Sequence, residues 1–140
     1  MKADKDYYVT ENSRVTVKIE LFRAGNSTSP RLDNVRYGEE RIKNKQSVDV
    51  SSFLVSGEPW VEANSGGIST FDKPIASESN WWLIPAGTEL PSELGVRRDH
   101  TGPDGRTHYS LYPAFNMPLT SYRFALASLH NKCSKLEGKK

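Results

Sequence analysis

The stretch Gly66-Gly67-Ile68-Ser69-Thr70-Phe71-Asp72 sets two glycines directly before a run of β-branched, hydroxyl and aromatic residues. Paired glycines let the backbone bend sharply or approach a neighbour closely, and the residues behind them favour an extended, half-buried chain. A short buried strand over Ile68–Phe71 is therefore predicted, with Ser69 and Thr70 sending their hydroxyls to opposite faces. Upstream, Val15, Val17, Ile19 and Leu21 alternate with Thr16, Lys18 and Glu20, so Val15–Phe22 reads as a strand with one face on a core. It runs into Arg23-Ala24-Gly25-Asn26 and a Ser/Thr/Pro loop from Ser27 to Pro30. Downstream, Trp81-Trp82-Leu83-Ile84 reads as a strand stopped by Pro85. Gly102-Pro103-Asp104-Gly105 reads as a hairpin turn into His108–Tyr112.

The intervening segments are less patterned. Leu32–Lys45 is rich in Arg and Lys and reads as a solvated irregular or short helical piece, while Asp49–Val55 fits either helix or strand. One helix is clear. From Leu119 the apolar positions Leu119, Tyr122, Leu126, Leu129 and Cys133 recur every three or four residues, with Pro118 at the first turn. Strands in series closed by one late helix make an α+β pattern.

A length of 140 residues, 36% hydrophobic and 26% charged, suits one globular domain. Its expected bounds are 11–132, with polar tails at 1–10 and 133–140. A net charge of +2 is too small to imply nucleic-acid binding by itself. The apolar runs are too short to span a membrane, and Met1–Thr10 lacks the apolar core of a conventional signal peptide. Delivery by a route without a cleaved signal stays open. A single cysteine, Cys133, makes neither an internal disulfide nor a thiolate zinc site, which fits work in a reducing cytosol.

Three places combine reactive side chains with strand ends. Arg23 can offer a planar fork to a phosphate or ribose, and Gly25 lets backbone approach a ligand, although an Arg at a strand end often simply faces water. Ser69 and Thr70 follow the paired glycines, without the Gly-x-Ser-x-Gly elbow of serine hydrolases. His108-Tyr109 enters the last strand, and a histidine is the commonest acid or base near neutral pH. His100 reads as the start of a turn and His130 as a residue near a helix C-terminus, and no histidine spacing indicates metal. The chain has neither a P-loop nor a Gly-x-Gly-x-x-Gly dinucleotide fingerprint.

In order, Leu21-Phe22-Arg23-Ala24, Gly66–Asp72, Ile84–Pro91 with Leu94, and Thr107–Ala114 with Met117 resemble the second exported effector family of type VI secretion. That is a bacterial toxin family with an ADP-ribosyltransferase-like fold. The resemblance implies a split β-sheet cleft, a further strand over Gly95–Asp99, NAD as substrate and growth arrest from the cytoplasm. It also implies a dedicated immunity protein as partner, with the toxin a monomer when unbound. Carried over, Arg23 matches the basic residue facing NAD, Ser69 the hydroxyl of the glycine-glycine strand, and His108 the histidine of the late strand. Ser69 and His108 are then the expected catalytic residues, with Arg23, Gly25, Gly67, Thr70 and Phe71 holding NAD. Phe71 or Tyr109 would offer an apolar face to the nicotinamide ring.

Two positions depart from the pattern. Typical ADP-ribosyltransferases carry a late-strand glutamate where this chain has His108, and no carboxylate stands at a matching place in the sequence. Ile68 stands where the family can carry Thr, which would remove one polar group from the site. A catalytically inactive binding module on the same fold is one alternative. A small ribonuclease-type toxin built on His108 with Arg97, Arg98 and Arg106 is another.

Overall fold

A computed structural model of the chain describes residues 15–75 and 80–136; the expected tail at 1–10 lies outside them. In chain order the elements are β1 (Leu21–Ala24), α1 (Glu39–Lys43), β2 (Ser52–Val55), β3 (Glu58–Val61), β4 (Ile68–Phe71) and β5 (Trp81–Ile84). Then come β6 (Leu94–Thr101), β7 (Thr107–Pro113), β8 (Met117–Pro118), α2 (Leu119–Ala127), a 3-10 turn at His130–Lys132 and β9 (Ser134–Lys135). Among the described residues the strands form two antiparallel sheets, ordered β6-β7-β4-β1-β5-β9 and β2-β3-β8. The α+β reading with one late helix describes this architecture.

The strand behind the paired glycines forms where the residue pattern places it, next to both β7 and β1. Gly67 fits there because a Cβ would stand 2.6 Å from the Leu111 carbonyl oxygen and 3.0 Å from Ser110 Cβ. The strand expected over Val15–Phe22 is shorter. Val15 and Val17 pair instead with the loop after β5, through Leu90 N to Val15 O at 2.8 Å and Val17 N to Thr88 O at 2.9 Å. The chain then bends, so Ile19 breaks the alternation and is exposed while Val17 and Leu21 are buried. Only Leu21–Ala24 joins the large sheet.

Within Asp49–Val55 only Ser52–Val55 forms β2, which turns through Ser56 and Gly57, both at positive φ, into β3. Two positive-φ residues in succession match the twist of the flanking strands, which is why this hairpin is tight. In α2, Leu119, Tyr122, Ala125 and Leu126 are buried, and the Tyr122 hydroxyl donates to the Leu111 carbonyl at 2.6 Å. Pro118 stands immediately before this helix, not inside its first turn. Leu129 is buried beyond the helix end, and Cys133 has extended backbone. Part of the expected C-terminal tail is structural: Ser134–Lys135 forms β9 on the edge beside β5.

Candidate active site

Register across the large sheet builds the site. Pairing of Ser69 with Ser110 and of Phe71 with His108 puts all four side chains on one face, while Ile68, Thr70, Tyr109 and Leu111 turn to the core. Thr70 is fully buried, its hydroxyl donating to the Tyr109 carbonyl at 3.1 Å. Tyr109 is a buried core residue, so its ring does not face the cleft. Ile68 is also fully buried on that inner face. Position 68 therefore faces away from the cleft, so the loss of a polar group there that the family resemblance implied does not reach the cleft face.

On the outer face, His108 Nε2 lies 2.9 Å from Ser69 Oγ, and His108 Nδ1 lies 2.7 Å from Asp99 Oδ2. Asp99 reaches this position through a β-bulge. Arg98 pairs with Tyr109 and His100 with His108, leaving Asp99 as the extra residue between them. A bulge sets two residues against one and re-aims a side chain, so both Asp99 and His100 meet His108. The His100 ring stacks on the His108 ring at 5.3 Å, and the Phe71 ring meets it edge-on at 5.2 Å.

Asp99 is heavily partnered. The Ser110 hydroxyl donates to Oδ2 at 2.6 Å, and Arg97 Nε donates to Oδ1 at 2.7 Å while its other end reaches Asn64 Oδ1. Burial by itself raises the Asp99 carboxyl pKa, but the hydrogen bonds from His108, Ser110 and Arg97 outweigh it and hold the group at about 2. Asp99 is therefore a carboxylate throughout the neutral range. Together Ser69, His108 and Asp99 make an unbroken hydrogen-bonded chain from the cleft to a fixed negative charge.

The cleft is an open, shallow depression of about 410 Å³, lined by these residues with Arg36, Val48, Asp49, Gly66, Gly67, Arg97, His100 and Ser110. Arg36 lines it and holds Asp49 through Nη2 at 2.8 Å and Nε at 3.2 Å. Among the described residues no three His, Cys, Asp or Glu side chains gather as a metal site. No described helix is long and apolar enough to cross a membrane.

The family-model comparison matches a model described as Tse2 ADP-ribosyltransferase toxin across residues 5–137. The chain belongs to the Tse2 ADP-ribosyltransferase toxin family. No curated protein matches it in sequence.

Within this Tse2-family chain the residues expected at the site divide. Ser69, His108 and Gly67 line the cleft. Arg23 does not: it shares its strand face with Leu21 by alternation, and its guanidinium donates to the Pro30, Ser69 and Arg31 carbonyls at 3.2, 2.9 and 2.9 Å. Burial lowers its pKa, and neighbouring Arg31 and Arg36 act the same way against Asp49. Gly25 makes its close approach to the chain itself, since a Cβ there would stand 2.2 Å from the Ser29 carbonyl oxygen. The ring of Phe71 is covered on one face by the Arg106 guanidinium, 4.0 Å from its centroid. Asp99, Ser110, His100 and Arg36 are cleft residues that the residue pattern left out. His100, expected to begin a turn, lies within β6. Arg97 and Arg106 do not form one basic patch with His108, because Arg97 binds Asp99 while Arg106 lies over Phe71 and pairs with Asp104.

Proposed function

We propose that the cleft binds NAD and that the protein transfers ADP-ribose from it to an acceptor nucleophile, as a toxin acting in the cytosol. The pocket lies on the outer face of the large sheet, walled by β4, β6 and β7 and by the loops that carry Arg36, Asp49 and Gly66. One observation carries the reading: in a member of this family, Ser69 Oγ stands at the cleft wall 2.9 Å from His108 Nε2.

The reaction breaks the nicotinamide–ribose bond. Its electron pair leaves with neutral nicotinamide, positive charge spreads over the ribose C1′ and ring oxygen, and the acceptor attacks C1′ while giving up its proton. A site accelerates this by holding the sugar rigidly and by stabilising charge that exists only in the transition state. Ser69 and His108 would grip the nicotinamide ribose, with Gly67 allowing close approach at the cleft wall. Arg36, whose side chain is about half exposed where it lines the pocket, would meet a pyrophosphate. Arg23, Gly25, Thr70 and Phe71 would serve by fixing the strands behind the cleft.

The test is release of nicotinamide and transfer of label from NAD by the purified protein, beside growth arrest on cytosolic expression. Ser69→Ala and His108→Ala should each abolish turnover and arrest with the fold retained. Intact toxicity without any consumption of NAD would overturn the reading. An immunity protein belongs to the same proposal, and its binding should protect the cleft and stop turnover.

A further inference from the structure

The residue pattern offers no carboxylate in place of the late-strand glutamate, yet the folded site contains two, Asp49 held by Arg36 and Asp99 bonded to His108. We infer that Asp99 is the carboxylate of this active site, acting on the ribose through His108 and Ser69 as a hydrogen-bond relay. This inference rests on the NAD reading of the cleft, but its structural half does not.

The chemistry follows from the donors and acceptors. Asp99 Oδ2, an acceptor only, lies 2.7 Å from His108 Nδ1, so Nδ1 carries the proton and donates. In neutral His108 that leaves Nε2 with a lone pair, and the Ser69 hydroxyl 2.9 Å away donates to it. Ser69 Oγ then turns its own lone pairs to the cleft and accepts a hydrogen bond from a ribose hydroxyl. Each bond in such a chain polarises the next. Asp99 keeps its negative charge, and the two neutral groups carry only its polarisation to the sugar, a weaker form of the stabilisation that a glutamate gives by direct contact. As positive charge grows on the ribose, the relay strengthens with it.

Asp99 is placed for this and not merely buried. It occupies a bulge that breaks the pairing of β6 with β7, and Ser110 and Arg97 hold both its oxygens in position. Asp99 lines the pocket, but in this scheme it acts on the substrate through His108, so it is a positioning residue.

Two measurements on the full chain decide it. Nitrogen-15 NMR of labelled histidine should show His108 as the Nδ1–H tautomer in the wild type and a shift towards Nε2–H in Asp99→Asn. Nicotinamide release should fall by about 10²–10⁴-fold in kcat for Asp99→Asn, with KM for NAD moving less than about threefold. Asp99→Glu should recover part of the loss. An Nε2–H tautomer in the wild type overturns the inference, whether or not the variant folds. A folded Asp99→Asn variant with wild-type kcat overturns it also. If the wild type releases no nicotinamide, the NAD reading fails instead, and the tautomer alone decides the role of Asp99.

Discussion

The Arg23 guanidinium donates to the carbonyl oxygen of Ser69 at 2.9 Å, joining residues 46 apart in sequence. Its other two bonds hold the Pro30 and Arg31 carbonyls, so one side chain ties the loop after β1 to the strand that presents the Ser69 hydroxyl. Charge-assisted bonds to partly buried carbonyls are costly to lose, because the carbonyls are left without partners.

Arg23→Ala should therefore destabilise the protein by about 2–4 kcal/mol, read as a lower urea midpoint. At a temperature where the variant is folded, KM for NAD should stay near the wild-type value. A large rise in KM with unchanged stability would return Arg23 to the ligand-facing role that its place after a strand suggests.

Ser69 and His108 belong to one hydrogen-bonded chain, so their losses should not add. Groups that act as a unit give single and double variants of similar severity. Ser69→Ala, His108→Ala and the double variant are expected to show comparable kcat/KM for nicotinamide release. Multiplied losses in the double variant would mean that the two side chains work separately.

Gly67→Ala should be among the most damaging single-carbon changes in the chain. The new Cβ would meet the Leu111 backbone at 2.6 Å and press on Ser110 Cβ at 3.0 Å, beside the bond from Ser110 to Asp99. Overpacking against backbone costs about 1–3 kcal/mol. Gly87→Ala meets nothing within 4 Å, but its φ of +92 strains an alanine, so it should cost about 1–2 kcal/mol. Thermal melts of both variants check the ranking.

Acid should expose the Asp99 network. The group sits at about 2 when folded against an ordinary 3.8, a depressed carboxyl, so its stabilising contribution is complete above the unfolded value. That contribution is lost as pH falls from about 4 towards about 2, and its size is on the order of 2 kcal/mol. The stability gap between wild type and Asp99→Asn, measured by urea titration, should narrow as pH falls below about 4. A gap that does not change with pH would mean that Asp99 is not held as an ion.

Much of the fold was legible because its signals are local. Pro85 ends β5, Gly102–Gly105 turns β6 into β7, and the spacing from Leu119 to Leu126 marks the buried face of α2. The alternation from Val15 to Leu21 misled for a physical reason. Backbone pairing with the loop at Gly87–Leu90 bends the chain before it reaches the sheet. Nor did Asp49–Val55 reveal a strand, since β2 is exposed over Phe53–Val55 and has no clean period of two.

By itself, then, the order of residues determined the family, the α+β pattern and the two residues Ser69 and His108 that stand together at the cleft. The α+β pattern rests on short-range composition and spacing, the family and the two residues on the resemblance of four ordered segments. The tertiary structure alone decided that Asp99 faces His108, that Arg23 holds backbone outside the cleft, and that Ile68 belongs to the core. Each depends on which face of a strand meets which neighbour. A single extra residue in the β6–β7 pairing, the bulge at Asp99, changes that outcome without any mark in the local sequence pattern.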